Sequence, residues 1–139
     1  MLLVSCGTKT NDTTTDKDVD SVKTSLNEED FGDFFDRFKT DSLFQIERVK
    51  FPMTTKSWNI DEDKPTTDKI EIVSWRHLRF EYKDEYAKRE IDAYTQEEKV
   101  FADSAKLELR GVDNGILIDY DFIKVNGQWF LVSEKDYSN

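Results

Sequence analysis

His77 and Cys6 are the only imidazole and the only thiol among 139 residues. Zinc clusters need several such ligands, and nucleophilic hydrolysis needs a nucleophile with a base beside it, so both chemistries fall away. The five glycines form none of the GxGxxG, GxxxxGK[ST] or GxSxG patterns that cradle phosphates or expose a serine. Carboxylates and tyrosines remain as groups able to act as general acid or base, and to work together they must share one face. The run Asp119-Tyr120-Asp121 carries both types. Neighbours in a strand point to opposite faces, so the two aspartates leave the face that Tyr120 takes, and no catalytic residue is assigned. Asp61, Glu62 and Asp63 invite a calcium loop. Begun at Asp61, however, such a loop would need its glycine at Thr66 and its closing glutamate at Ile72. Asn59 to Asp68 therefore reads as an acidic surface loop, and neither metal nor cofactor is expected.

Cys6 has a different context. Leu3-Val4-Ser5-Cys6, followed by Gly7, reads as the end of a bacterial lipoprotein signal, although a full signal carries a basic start and an apolar run of about 7–15 residues. Only five residues precede this cysteine. Residues 1–6 are thus expected to be the remnant of a signal, with Cys6 as the lipidated residue. Residues 7–26 are Thr, Asp, Lys and Ser with few apolar exceptions, a composition that reads as a flexible polar tether. The solitary cysteine excludes an internal disulfide. With 30 acids against 20 bases, the net charge of −10 repels phosphate backbones and excludes nucleic acid as a partner.

The elements that must position any site lie in residues 27–139, enough chain for one core without staples. Phe31, Phe34, Phe35 and Phe38 recur at helical spacing behind Asn27 as cap, and Asp41 can cap a further short turn through Phe44. From Gln45 to Met53 the alternation predicts an edge strand stopped at Pro52. Residues 69–82 predict another strand, with Leu78, Phe80 and Tyr82 on one face and Trp75, His77 and Arg79 on the other. The charged run from Lys83 to Lys99 is open between helix and loop. Asn114-Gly115 and Asn126-Gly127 predict two tight hairpins joining three antiparallel strands. In that register Leu109 opposes Tyr120, Leu107 opposes Phe122, Tyr120 opposes Ser133, and Phe122 opposes Leu131. One face then gathers Leu107, Leu109, Ile118, Tyr120, Phe122, Trp129 and Leu131 toward the phenylalanine helix. Asp119, Asp121 and Glu134 share the other face with Arg110 as a basic neighbour.

The strings "FFDRFKTDSLFQIERVKFPM" and "DYDFIKVNGQWFLVSEKD" resemble a family of Bacteroidota-type lipoproteins of unknown function on the cone fold of nuclear transport factor two, ketosteroid isomerase and scytalone dehydratase. The resemblance implies an α+β domain, a curved antiparallel sheet wrapped around N-terminal helices in the cystatin-like manner, often enclosing a pocket. A pocket would be lined by Tyr82, Tyr120, Trp129 and Ser133 and would take an apolar small molecule or peptide. Ile123, Val125, Phe130 and Val132 on the outer sheet face are the expected interface of a homodimer or a docked partner, with cover by the segment from Lys83 to Lys99 as the alternative. The expected role is a non-catalytic binding or interaction module, anchored in the cell envelope by lipid on Cys6. The alternative is a small-molecule isomerase or dehydratase using the cone pocket.

Overall fold

The computed structural model describes residues 28–139. Cys6, residues 7–26 and the expected cap Asn27 lie outside the described residues. Two helices, α1 (Phe31–Thr40) and α2 (Ser42–Glu47), precede six strands: β1 (Val49–Asn59), β2 (Lys64–Ile70), β3 (Tyr94–Val100), β4 (Ser104–Gly111), β5 (Leu117–Val125) and β6 (Gln128–Asp136). The strands form one sheet in the order β2-β1-β6-β5-β4-β3. All neighbours are antiparallel except β1 and β6, which run parallel.

The helix begins where its first carboxylate can cap it. Asp30 Oδ1 accepts from the Asp33 backbone N–H at 3.1 Å, satisfying one of the donors that a helix start leaves open. Phe31, Phe34, Phe35 and Phe38 are all buried on one side, and Phe122 of β5 meets each of these four rings edge-on at 5.3–6.0 Å. Such edge-to-face pairs place the positive ring edge on the negative ring face, adding to the area effect. Asp41 then caps α2 as expected, accepting from Leu43 and Phe44 N–H. The Phe44 bond is the largest reason that the Asp41 carboxyl is held below its usual value.

The sheet departs from the expected register in three places. First, β1 does not stop at Pro52 and is not an edge: it runs to Asn59 between β2 and β6. The pairing with β6 shifts between Val49 and Thr54, so Pro52 falls in an irregularity where its missing N–H is not called upon. Lys64 to Asp68, expected as loop, pairs with β1 as the first part of β2. Second, Asn126-Gly127 makes the tight turn, with both residues at positive φ (50° and 77°), but Asn114-Gly115 does not. There the left-handed residue is Asp113, and the Asn114 side chain donates to Ala93 O at 2.7 Å. The longer loop slides β5 so that Leu107 opposes Tyr120 and Leu109 opposes Ile118. A slide of two residues preserves parity, so the apolar face survives intact. Third, the β5–β6 register breaks between Asp121 and Phe122: Phe122 opposes Leu131, but Tyr120 opposes Glu134. One extra residue on β6 is a β-bulge, and it flips every side chain beyond it to the other face.

Residues 75–83 are extended but join no strand. Instead, the fully buried Gln45 amide acts as their partner: its Oε1 accepts from Leu78 N–H at 2.7 Å, and its Nε2 donates to Leu78 O at 2.9 Å and Phe38 O at 3.0 Å. One side chain thus replaces a strand's two bonds and fastens this segment beside the helices. The expected faces persist at Leu78, Phe80 and Tyr82, which are buried or half-buried, and at His77 and Arg79, which are exposed, but Trp75, expected with the latter two, packs against Phe51 and the core. A 3-10 turn over Asp84–Lys88 follows, and the remainder of the run to Lys99 enters β3.

Candidate functional site

The bulge at Val132 decides what the inner, helix-covered face of the sheet presents. Ser133 opposes Asp121 and its hydroxyl donates to Asp121 Oδ2 at 2.7 Å. It therefore lies on the outer face and does not line a pocket with Tyr120, as its expected register required. Glu134 takes that place, opposite Tyr120, and Asp136 follows opposite Ile118. A carboxylate and a phenol thus share the inner face, which the unbulged register denied. The expected register put Glu134 on the outer face with Asp119 and Asp121 and gave Asp136 no role; the bulge overturns that placement, and Ser133-Glu134-Lys135-Asp136 has no apolar alternation to betray the change of parity.

The surroundings of this pair are apolar on one side. Phe80 stands edge-on to Tyr120 with ring centres 5.0 Å apart, while Leu107 beside it is fully buried. Burial, then the charges of Glu134, Asp136 and Tyr94, push the Tyr120 hydroxyl far above its ordinary pKa. Burial, then Asp136, push the Glu134 carboxyl up as well. Among the described residues neither group has a hydrogen-bond or ion-pair partner. Tyr82, Tyr86 and Tyr94 form a ring cluster nearby in the fold, with centres 5.5–6.0 Å apart, and burial raises Tyr94 too. The Trp75 indole N–H is buried without a partner among the described residues, its ring edge-on to Phe51.

A cleft of about 840 Å³ opens beside Phe80, between the end of α1 and the segment 77–83, with neither Tyr120 nor Glu134 in its lining. Tyr82 lines it together with His77, Arg79, Glu81 and Lys83, and its volume suits a small organic ligand. Of the four expected pocket residues, Tyr82 and Tyr120 therefore flank Phe80. Trp129 does not line this space: it is 1% exposed, its ring meets Phe31 at 5.1 Å, and its N–H donates to Glu29 O at 3.0 Å. It fills the core because Glu29 ties the chain entering α1 to the β5–β6 turn.

The four expected interface residues, Ile123, Val125, Phe130 and Val132, are half-buried. Ile123 and Phe130 face each other across β5 and β6, and the Lys50 ammonium lies 3.8 Å above the Phe130 ring. The outer-face carboxylates beyond them are engaged by cations. Lys135 lies 2.6 Å from Asp121, and Lys99 lies 2.8 Å from Glu108. Arg110 lies 2.7 Å from Asp119, at an angle too poor for a hydrogen bond. That diagonal contact replaces the directly opposed Arg110–Asp119 pair of the expected register. Among the described residues no three His, Cys, Asp or Glu side chains come together as metal ligands.

The comparisons with known proteins agree with this architecture. A nuclear-transport-factor-two-like protein from Bacteroides fragilis superposes with a TM-score of 0.58 at 23% identity, over 81% of this chain and 48% of its own. The chain thus spans about half the length of that relative. A cystatin-like protein from Bacteroides caccae superposes with a TM-score of 0.58 at 21% identity, over 81% of this chain and 78% of its own. A protein from Bacteroides uniformis gives 0.56 at 20%, over 80% and 77%. No protein with a curated description matches. Similarity at these identities establishes the fold and leaves activity to the site. The model of the domain of unknown function DUF4348 matches residues 14–136. The chain belongs to that DUF4348 family, built on the α+β cone that its sequence had led us to expect.

Proposed function

We propose that this domain is a non-catalytic binding module, held in the cell envelope by a lipid on Cys6, that takes a small ligand with an apolar body beside Phe80. The observation that carries the reading is the cleft of about 840 Å³ lined by Phe80 and Tyr82, with Tyr120 packed on Phe80 and Glu134 opposite Tyr120, neither polar group having a partner among the described residues. A ligand seated on Phe80 and Tyr82 that reaches past Phe80 to the Tyr120 hydroxyl or the Glu134 carboxyl would gain a hydrogen bond there. The anchor rests on the Leu3-Val4-Ser5-Cys6 sequence and on the polar stretch behind it. Among the described residues no helix is long and apolar enough to cross a membrane.

A thermal-shift screen with bile acids, lipids and aromatic metabolites tests the binding reading: a hit should stabilise the wild type and lose its effect in Tyr120→Phe or Glu134→Gln. No shift at saturating ligand across the panel defeats it. Palmitate labelling of the protein expressed from its own genomic locus, lost in Cys6→Ser, tests the anchor.

A second reading has one specific observation behind it. A carboxyl raised by burial, opposite a phenol on the same face, is the pairing that an isomerase or dehydratase of this fold would need. Turnover of a hit compound, abolished in Glu134→Gln while binding persists, would move the assignment from module to enzyme.

A further inference from the structure

The outer face carries an apolar groove remote from the Tyr120 site. Trp58, Ile60, Pro65, Leu117, Tyr137 and Asn139 enclose about 670 Å³ where the β1–β2 hairpin approaches the start of β5. Trp58 is 41%, Ile60 77% and Leu117 40% exposed, a convergence of large apolar side chains from separate parts of the chain that singly exposed residues would not produce. The backbone beneath is fixed. Tyr137 N–H donates to Leu117 O at 2.9 Å, Leu117 N–H to Ser138 Oγ at 3.1 Å, and Asn139 N–H to Gly115 O at 3.2 Å.

The charge around this groove is one-sided. Ile60 leads directly into Asp61, Glu62 and Asp63, a turn pinned by Asn59 Oδ1, which accepts from Asp61 and Glu62 N–H. Lys64 occupies Glu62 at 2.7 Å, whereas Asp61 and Asp63 have no ion-pair partner among the described residues. Asp113 stands in the loop before β5. Arg110, opposite Leu117, is held by Asp119, Lys64 by Glu62 and Lys135 by Asp121, so that Lys56 on β1 is the lysine near Trp58 with no ion pair among the described residues. The whole chain adds a net charge of −10, so a positively charged partner is drawn toward this rim at long range.

The geometry points to this groove as a docking site for a basic segment of a partner protein, its apolar side chains seated between Trp58 and Leu117 and its lysines or arginines on Asp61 and Asp63. The inference does not depend on the ligand reading, since the groove lies on the opposite face of the sheet.

Trp58 fluorescence tests it with defined probes. A lysine–leucine peptide should shift the emission to shorter wavelength in a saturable, salt-sensitive way, and the shift should vanish in Trp58→Phe. The same peptide with glutamate for lysine should bind at least about tenfold more weakly. Ile60→Ser and Asp61→Asn/Asp63→Asn should each weaken the lysine–leucine peptide with the melting temperature unchanged, since these side chains are exposed. Equal binding of the glutamate peptide, or no saturable shift with either, overturns the proposal. A shift produced by phosphatidylcholine–phosphatidylglycerol vesicles and not by the peptide overturns it in favour of a membrane surface. Concentration-dependent dimerisation lost in Leu117→Ser overturns it in favour of a second copy.

Discussion

The two faces of the sheet treat the same side chain in opposite ways. On the outer face, burial alone would raise the Asp121 carboxyl, yet the bonds from Lys135 and Ser133 outweigh it and hold the carboxyl below its ordinary value. On the inner face, Glu134 has burial and the neighbouring Asp136 acting on it and nothing to offset them, so its carboxyl rises. Their distance in sequence is only 13 residues, counted from 121 to 134. What separates them is the partner across the strand: a lysine and a serine in one case, a buried phenol in the other. A surface network of this kind needs no ligand to account for it. A desolvated acid beside a desolvated hydroxyl does need an account, and for that reason the candidate site is placed on the inner face.

The contrast can be broken most severely at Gln45. Gln45→Leu keeps the volume but strands Leu78 N–H, Leu78 O and Phe38 O, and should lower stability by about 3 kcal/mol in denaturant titration. The segment carrying Phe80 should then loosen, and the Tyr120 phenol should titrate closer to its ordinary value in an ultraviolet pH scan. An unchanged Tyr120 titration would show that Phe80 does not shield it.

Asp121→Asn should lower stability at neutral pH by on the order of 1 kcal/mol, reduced by solvent screening. Because the folded-state pKa lies below the ordinary 3.8, this contribution is present above 3.8 and disappears as pH falls through the folded value. Melting curves of mutant and wild type should therefore converge in acid.

Glu134→Gln should do the reverse, stabilising by less than about 1 kcal/mol at neutral pH. Here the folded-state pKa lies above the ordinary 4.5, so the wild type suffers no penalty below 4.5 and acquires it as pH rises through the folded value. A Glu134→Gln protein less stable than wild type at pH 7 would mean that the carboxylate has a cationic partner, and the distinction between the faces would fall.

The smallest effect is expected at the half-buried outer patch. Phe130→Asp should leave the melting temperature within a few degrees if Phe130 serves an interface, and should convert a dimer to a monomer in sedimentation. Monomeric wild type at all concentrations removes the dimer.

How far the sequence reaches depends on the range of the interaction that decides each feature. The phenylalanine helix, the Asp41 cap and the Asn126-Gly127 turn are governed by residues within a few positions of one another, and each is legible. Parity on β4 and β5 survived a misjudged loop because the loop error was an even number of residues. Asn114 misled because its side chain is engaged by Ala93, 21 residues earlier, instead of shaping its own turn. The strand expected at 69–82 failed for a related reason, since Gln45 satisfies Leu78 from 33 residues away. The site suffered most. Its Tyr120 was legible, but Glu134 depended on a bulge that no local residue type demands, and Trp129 is as aromatic as any pocket residue while serving only the core.

The place of β6 in the sheet bears on how the chain is made. Of the six strands β6 comes last in chain order, yet it sits between β1 and β5 and alone joins the β1–β2 pair to the β3–β4–β5 sheet. Until residues 128–136 have left the ribosome, the nascent chain holds two fragments, with the phenylalanine helix lacking Trp129 and Leu131 to pack against. Parallel pairing across so long a loop is slow to form. The two parts of the sheet can therefore be joined only once residues 128–136 are available, which makes the β1–β6 and β5–β6 pairings the steps on which closure of the domain waits.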